Sequence, residues 1–168
     1  PYAKAVSGKV RNQDNLLLAY DSSHPDRDLS FDTRDNAHIV PKSIVIDDEF
    51  DWQGDRSPEI PLEELVIYEV HLKGFTAHPS SGARRPGTYL GFIDKISHLK
   101  ELGVNAVEFL PIHEYSEEDF LLSRGLRNYW GYSTVGFFAP ESSYRSNKKP
   151  EFAVTEFKTM VKALHRAG

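Results

Sequence analysis

The chain has 168 residues, of which 39% are hydrophobic and 12% aromatic, with a formal net charge of −5 and no cysteine. This hydrophobic content is enough for a folded core and excludes wholesale disorder. The acidic balance argues against a nucleic-acid partner, and the lack of cysteine excludes disulfides, thiolate metal sites and cysteine nucleophiles.

Nothing in the chain resembles a targeting or membrane segment. No apolar run approaches the ~20 residues that a bilayer span needs. The first residues, PYAKAVSGKV, lack the charged start and apolar stretch of a signal peptide, and no initiator methionine is present. We therefore expect an excerpt of a longer cytoplasmic protein that does not contact a membrane.

The first 60 residues are polar, and only short apolar runs interrupt them. Residues 16–20, 39–40 and 44–46 form these runs, between turn-rich stretches such as SSHPD. We predict short strands there. Residues 1–50 are thus interpreted as the end of a small β module, and residues 51–63 as a linker.

Beyond the linker, strand and helix patterns alternate. Residues 65–72 and 104–110 are strand-like, rich in β-branched and aromatic residues. Apolar residues at helical spacing predict one helix over residues 89–102 and a second whose apolar face holds Val154, Phe157, Val161 and Leu164. This order predicts parallel βα units of an α/β fold, but two strands cannot close a barrel.

The familiar catalytic motifs are absent or incomplete in this sequence. The chain contains neither of the two glycine-rich loops that bind phosphate groups, G-x-x-x-x-G-K-[ST] and G-x-G-x-x-G. A nucleophile elbow fails because its fifth position is Val135, and a zinc motif fails because no second histidine follows His113 at the required spacing. We predict no metal and no cofactor.

Acidic residues and histidines offer only weak candidates. The run 117–119 is interpreted as solvated surface, whereas Glu69 and Glu108 lie inside predicted strands and are interpreted as buried, paired carboxylates. His71 and His113 lie near strand ends, where the active face of a barrel would form, and each is interpreted as a structural histidine.

The segment NYWGYSTVGFFAP, residues 128–140, concentrates aromatic side chains after the second predicted strand. Trp130 and Tyr132 flank a glycine that lets the backbone turn both rings outward. Aromatic faces bury the C–H face of a sugar at little entropic cost, so these two residues are candidates for sugar binding. The other rings are predicted to pack beneath the loop: Tyr129, Phe137 and Phe138.

Four ordered stretches carry a family resemblance: VIYEVHLKGFT, GTYLGFIDKISHLKELGVNAVEFLPI, NYWGYSTVGFFAPESSY and EFKTMVKALHRAG. They resemble the α-amylase superfamily (glycoside hydrolase family 13), nearest to bacterial glycogen-debranching enzymes and isoamylases. The resemblance implies that residues 64–168 are the first βαβα portion of a (β/α)8 TIM barrel. Residues 1–50 would then end an all-β starch-binding-type (CBM48-like) sandwich module.

The same resemblance implies a function for the intact protein. It would cleave α-1,6 branch linkages of glycogen or limit dextrin by a retaining mechanism, with its three catalytic acids on later barrel strands. No catalytic residue is therefore assigned in this chain. Tyr132 resembles the tyrosine that stacks on glucose at the cleavage subsite, with Trp130 beside it, and the expected partner is a branched α-glucan.

Two alternatives remain open at this point. One is another enzyme of the same superfamily, either a trehalose-releasing hydrolase or a branching enzyme. The other is a stand-alone glucan-binding module, which Trp52, Trp130 and Tyr132 would serve by stacking.

Overall fold

A computed structural model describes residues 2–9, 15–47 and 49–168. Within these ranges it contains four strands, five α-helices and several 3-10 turns. The strands are β1 (Ile67–Val70), β2 (Ala106–Phe109), β3 (His113–Tyr115) and β4 (Thr134–Pro140). The helices are α1 (Leu72–Ala77), α2 (Tyr89–Ile93), α3 (Ile96–Glu101), α4 (Asp119–Leu122) and α5 (Phe152–Ala167).

β1 and β2 form a parallel pair, as the alternating strand and helix patterns predict. Their register runs from Ile67 opposite Ala106 to Val70 opposite Phe109. The Asn105 side chain fixes the entry to this pair, since its Oδ1 accepts from the Val66 N–H at 2.7 Å and its Nδ2 donates to the Glu64 carbonyl at 2.8 Å. Both strands are shorter than the predicted 65–72 and 104–110.

The helix predicted over residues 89–102 is two helices, and the prediction of one continuous helix is wrong. α2 ends at Ile93 and is capped by Asp94, whose carboxylate accepts from the Arg84 backbone N–H at 2.9 Å and from the Arg84 guanidinium at 2.6 Å. Lys95, with φ −108° and ψ 2°, then leaves helical geometry before α3 begins. The Arg84–Asp94 contact thus holds the preceding loop against the break.

The second predicted helix is confirmed as α5. Val154 is buried, and Phe157 and Leu164 pack against the core. The helix ends as expected, because Gly168 adopts φ +84° and its N–H donates to the His165 carbonyl at 3.1 Å.

An antiparallel hairpin replaces much of the loop predicted between β2 and α5. β3 pairs with β4 through His113 opposite Pro140 and Tyr115 opposite Thr134, with irregular register between them. The hairpin places the segment 128–132 just before β4, so this segment is held close to the core.

A hydrophobic core joins β1, the hairpin and the helices α1, α2, α3 and α5. Tyr89, Phe92 and Met160 are fully buried at its centre. The other buried members of this cluster are Val70, Leu72, Leu99, Tyr115 and Tyr144.

The strands predicted in the first 50 residues do not form. Residues 15–17 make a 3-10 turn, Ala19 adopts φ +61°, and the Asn36 side chain donates to the Leu16 carbonyl at 3.3 Å. Local side-chain bonds of this kind compete with a strand ladder. In the part of this segment that the structure describes, β pairing is limited to an isolated bridge between Val6 and Ser43.

The start of the predicted linker is docked on α5. Asp55 contacts His165 at 2.8 Å, and the Lys162 ammonium donates to the Asp51 carbonyl at 2.9 Å. The Lys162 ammonium also lies 4.8 Å from the centre of the Phe50 ring.

Among the described helices, none has the length and apolar character of a membrane span.

Candidate functional site

Trp130 and Tyr132 are both exposed on a tight turn that precedes β4. Their exposed fractions are 57% and 71%, respectively. Gly131 between them adopts φ +81°, and a Cβ at this position would lie 3.0 Å from the Tyr115 ring and 3.3 Å from Pro111. A larger residue at position 131 would therefore strain the backbone, and its Cβ would crowd the neighbouring side chains. The prediction that a glycine turns the two rings outward agrees with this geometry.

Asn128 holds the inside of the turn. Its side-chain Oδ1 accepts from the Gly131 N–H at 2.9 Å, and its backbone N–H donates to Glu117 Oε2 at 2.8 Å. Its Nδ2 donates to the Ser116 carbonyl and to Glu118 Oε1, both at 3.2 Å. Since Asn128 itself is buried, these bonds fix the backbone of the turn at low solvent access.

The interpretation of residues 117–119 as a solvated run is wrong for Glu117, which is 4% exposed. Asn128 and its neighbours supply the hydrogen bonds that allow this carboxylate to be buried. Glu118 also holds the turn, because its carboxylate accepts from the Ser133 hydroxyl. Sequence patterns do not reveal this, because three adjacent acids are usually a surface feature and Asn128 lies 11 residues away from Glu117.

His71 lies directly under the turn, and the structure confirms that it is a structural histidine. It is buried at the end of β1 and its side chain caps the N-terminus of α1. Its ring stacks on Tyr129 with centroids 4.1 Å apart and an angle of 6°. Tyr129 is thus a packing residue on one face, as predicted, although it remains partly exposed. Trp130 meets the Tyr129 ring edge-on at 5.2 Å.

A cavity of about 480 Å³ opens beside the turn, at the carboxyl end of β2. Tyr132 lines it, together with Glu69, Glu108 and His113; Trp130 does not. The structure therefore brings only one of the two candidate aromatic residues into this cavity. The remaining lining residues are Phe109, Leu110, Pro111, Thr134 and Phe137.

Two predictions about this region are wrong. Glu69 and Glu108 are exposed rather than buried, because they lie on the face of β1 and β2 that borders the cavity. Phe137 and Phe138 are 68% and 60% exposed rather than packed beneath the loop. His113, at the start of β3, is also exposed.

A largely buried charge cluster contacts both ends of the hairpin, through Glu114 in β3 and through Glu141, which follows β4. Lys9 Nζ lies 3.0 Å from Glu114 Oε1 and also bonds the carboxylate of Glu141. It sits 4.0 Å from the centre of the Tyr115 ring. Burial, followed by the nearby charge of Glu141, raises the pKa of Glu114, while Lys9 opposes the rise. Sequence reasoning missed this cluster because Lys9 lies more than 100 residues from its partners in the chain.

The arrangement is suited to binding rather than to bond cleavage. It offers exposed rings on a rigid backbone next to a cavity, with a carboxylate pair at neighbouring strand positions. Over the ranges that the structure covers, no group of three or more His, Asp or Glu side chains could hold a metal ion.

Comparison with known proteins identifies relatives over the whole chain, although no family model matches it. The chain is 46% identical to the glycogen operon protein GlgX homolog of Haemophilus influenzae and 43% identical to the glycogen debranching enzyme of Salmonella paratyphi B. It is 40% identical to isoamylase 1, chloroplastic, of Arabidopsis thaliana. Each alignment covers 100% of the chain but only 21–24% of the relative, so the chain spans about a quarter of the length of these proteins.

Solved structures agree with these relatives. A pullulanase from Paenibacillus barengoltzii, complexed with maltotetraose, matches 76% of the chain and 23% of its own chain, at 28% identity and a TM-score of 0.66. A product complex of the glycogen-degrading pneumococcal virulence factor SpuA matches 100% of the chain and 17% of its own, at 28% identity and a TM-score of 0.70. The chain is thus homologous to a segment of the glycogen-debranching enzymes, isoamylases and pullulanases. The resemblance to the α-amylase superfamily is confirmed.

Proposed function

We propose that the complete protein is a glycoside hydrolase that cleaves α-1,6 branch linkages of glycogen or limit dextrin. One observation carries this proposal: the whole chain aligns, at 43% identity, with a glycogen debranching enzyme. The pullulanase and SpuA structures add support, since the former is complexed with maltotetraose and the latter is described as glycogen-degrading.

In this proposal, residues 64–168 begin a (β/α)8 barrel and residues 1–50 end a starch-binding-type sandwich module. The parallel β1–β2 pair with helices after each strand supports the barrel. Tyr132 then lies at the carboxyl ends of the strands, where barrel enzymes bind their substrates. The module, the linker at 51–63 and the cytoplasmic location stay predictions.

Tyr132 is proposed to bind a glucose ring of the branched α-glucan by stacking, and Trp130 to extend the aromatic surface on the other side of Gly131. Two features support Tyr132 above Trp130. Its ring is the more exposed of the two, and it lines the cavity beside β2. Ring stacking buries C–H surface on an aromatic face, and the hydrogen-bonded turn means that little backbone freedom is lost on binding.

The retaining mechanism needs two carboxylates about 5 Å apart on opposite sides of the scissile bond. Glu69 and Glu108 do not meet this need, because they stand side by side on neighbouring strands. We therefore assign no catalytic residue to this chain, and the nucleophile and the general acid belong to other parts of the complete protein.

The test uses the complete polypeptide with a branched limit dextrin. Debranching releases linear maltooligosaccharides and new reducing ends, branching adds branches without net hydrolysis, and trehalose release gives a non-reducing product. Absence of new reducing ends would refute the proposal.

The role of Tyr132 has its own test. Tyr132→Ala should lower kcat/KM at least about tenfold, because it removes a single good contact at the reacting sugar. Phe31→Ala, which removes a different exposed aromatic ring, is the control and should leave kcat/KM unchanged.

A further inference from the structure

His71 is held in one tautomer by contacts on both ring nitrogens. Its Nδ1 accepts from the Gly74 N–H at 2.9 Å, in the first turn of α1. The proton therefore resides on Nε2, which donates to the Tyr129 carbonyl at 2.6 Å. The Tyr144 hydroxyl lies 3.4 Å from the same Nε2. One side chain thus joins the end of β1 to the aromatic turn.

The turn is tied on two sides, and His71 supplies the tie on one of them. On the other side, Asn128 bonds residues 116–118 as described above, and the Ser133 carbonyl accepts from the Ser116 N–H at 2.9 Å. His71 ties it to β1, through the Tyr129 carbonyl and through the stacked Tyr129 ring. The tied carbonyl belongs to the peptide that leads into Trp130, Gly131 and Tyr132. Without the tie from His71, the peptide that leads into Trp130 would lose its hydrogen bond to β1, and the turn would be held from one side.

We infer that His71 is a positioning residue for glucan binding, acting through the Tyr129 backbone to hold the Tyr132 ring in its stacking orientation. This inference rests on the proposed function, because it requires Tyr132 to contact the sugar. Orientation at the reacting sugar affects the rate steeply, so a small displacement of the ring should lower kcat more than it raises KM.

Two substitutions separate the helix-capping role of His71 from its tie to the turn. His71→Asn keeps a side-chain acceptor near the position of Nδ1, and asparagine is a good N-cap, but its short side chain cannot reach the Tyr129 carbonyl. His71→Gln places an amide N–H near the position of Nε2 and can restore that bond. His78→Asn is a matched control, because His78 also caps a short helix through Nδ1, while its side chain is exposed and bonds Ser80.

The deciding experiment is a double-mutant cycle on the complete polypeptide, with kcat and KM measured on a branched limit dextrin. We expect His71→Asn to lower kcat about tenfold, His71→Gln to recover part of the loss, and His78→Asn to change neither constant. In a Tyr132→Ala background, His71→Asn should lower kcat little further, because its effect on kcat passes through the Tyr132 ring.

Each other outcome has a definite meaning. If the losses from His71→Asn and Tyr132→Ala are additive, or if both His71 variants fail to fold in a thermal unfolding measurement, then His71 is only structural and the inference is overturned. If Tyr132→Ala leaves kcat/KM unchanged, the role proposed for Tyr132 fails first. That result is distinct, because it does not depend on any change at His71.

Discussion

Lys9 Nζ lies 3.0 Å from Glu114 Oε1, although the two residues are far apart in the chain. The same ammonium bonds Glu141, so a single cation stands between two buried carboxylates. Backbone N–H groups complete the cluster: that of Ser142 donates to Glu114 at 2.9 Å, and that of Ser143 donates to Glu141 at 2.8 Å. This cluster joins the N-terminal segment to the hairpin whose strands β3 and β4 flank the aromatic turn of residues 128–132.

Removing this cation should destabilise the protein. Lys9→Met leaves two buried carboxylates without their counter-ion, and we expect the free energy of unfolding to fall by about 2–3 kcal/mol, slightly less than for a fully buried pair. Urea unfolding of the complete polypeptide at pH 7.5 measures the loss. Lys42→Met, which removes an exposed ammonium that bonds the Ala37 carbonyl, is the control and should cost under about 0.5 kcal/mol.

The pH dependence of stability should change when Glu114 is neutralised. Since burial and Glu141 raise the pKa of Glu114 above its ordinary 4.5, the folded protein binds this proton more tightly than the unfolded chain does. Stability contributed by the protonated form is therefore present at acid pH and is lost as the pH rises through the raised pKa. Glu114→Gln should flatten this part of the profile. Unfolding free energies at several pH values above 4.5 test it, and an unchanged slope would contradict it.

Gly131 and Gly125 provide a matched pair of alanine substitutions. Both glycines have positive φ, +81° and +69°, but a Cβ meets the Tyr115 ring at 3.0 Å only at position 131 and finds open space at position 125. Gly125→Ala should cost about 1 kcal/mol for backbone strain alone, and Gly131→Ala about 2 kcal/mol or more. Equal losses in thermal unfolding would show that the turn yields to the added methyl group.

Gly74 tests the contact between α1 and Tyr129. A Cβ at position 74 would lie 2.2 Å from the Tyr129 hydroxyl oxygen but 3.4 Å from the ring carbon that bears it. Gly74→Ala alone should therefore destabilise the protein, despite the better helix propensity of alanine. In a Tyr129→Phe background the clash is absent, and we expect the same change to be neutral or stabilising. A double-mutant cycle in urea measures this reversal, and additive effects would contradict it.

The sequence predicts the parts of the fold that depend on local periodicity. The parallel strand pair and α5 follow from apolar spacing, and the outward turn at Gly131 follows from a glycine between two large rings. The break at Asp94 was not predictable, since it depends on Arg84, which lies outside the helix. The hairpin escaped prediction because β3 is only three residues long and its register is irregular.

Contacts between distant segments explain most of what the sequence could not predict about the candidate site. Tyr132 and Trp130 are recognisable from their own neighbours, but Asn128 and His71 gain their roles from residues 10–58 positions away. Glu69 and Glu108 were assigned to a buried environment because strands of this composition are usually covered on both faces. In this chain, their face of the sheet borders the cavity.

The separation of 132 residues between Lys9 and Glu141 has a kinetic consequence. Closing so long a loop costs more conformational entropy than forming the nearby contacts of β1, β2 and the helices, so the Lys9 cluster should assemble after the main folding barrier. Interactions formed after the barrier govern the rate of unfolding rather than the rate of folding. The N-terminal segment should therefore slow unfolding, and so lengthen the time for which the folded hairpin holds the aromatic turn in place.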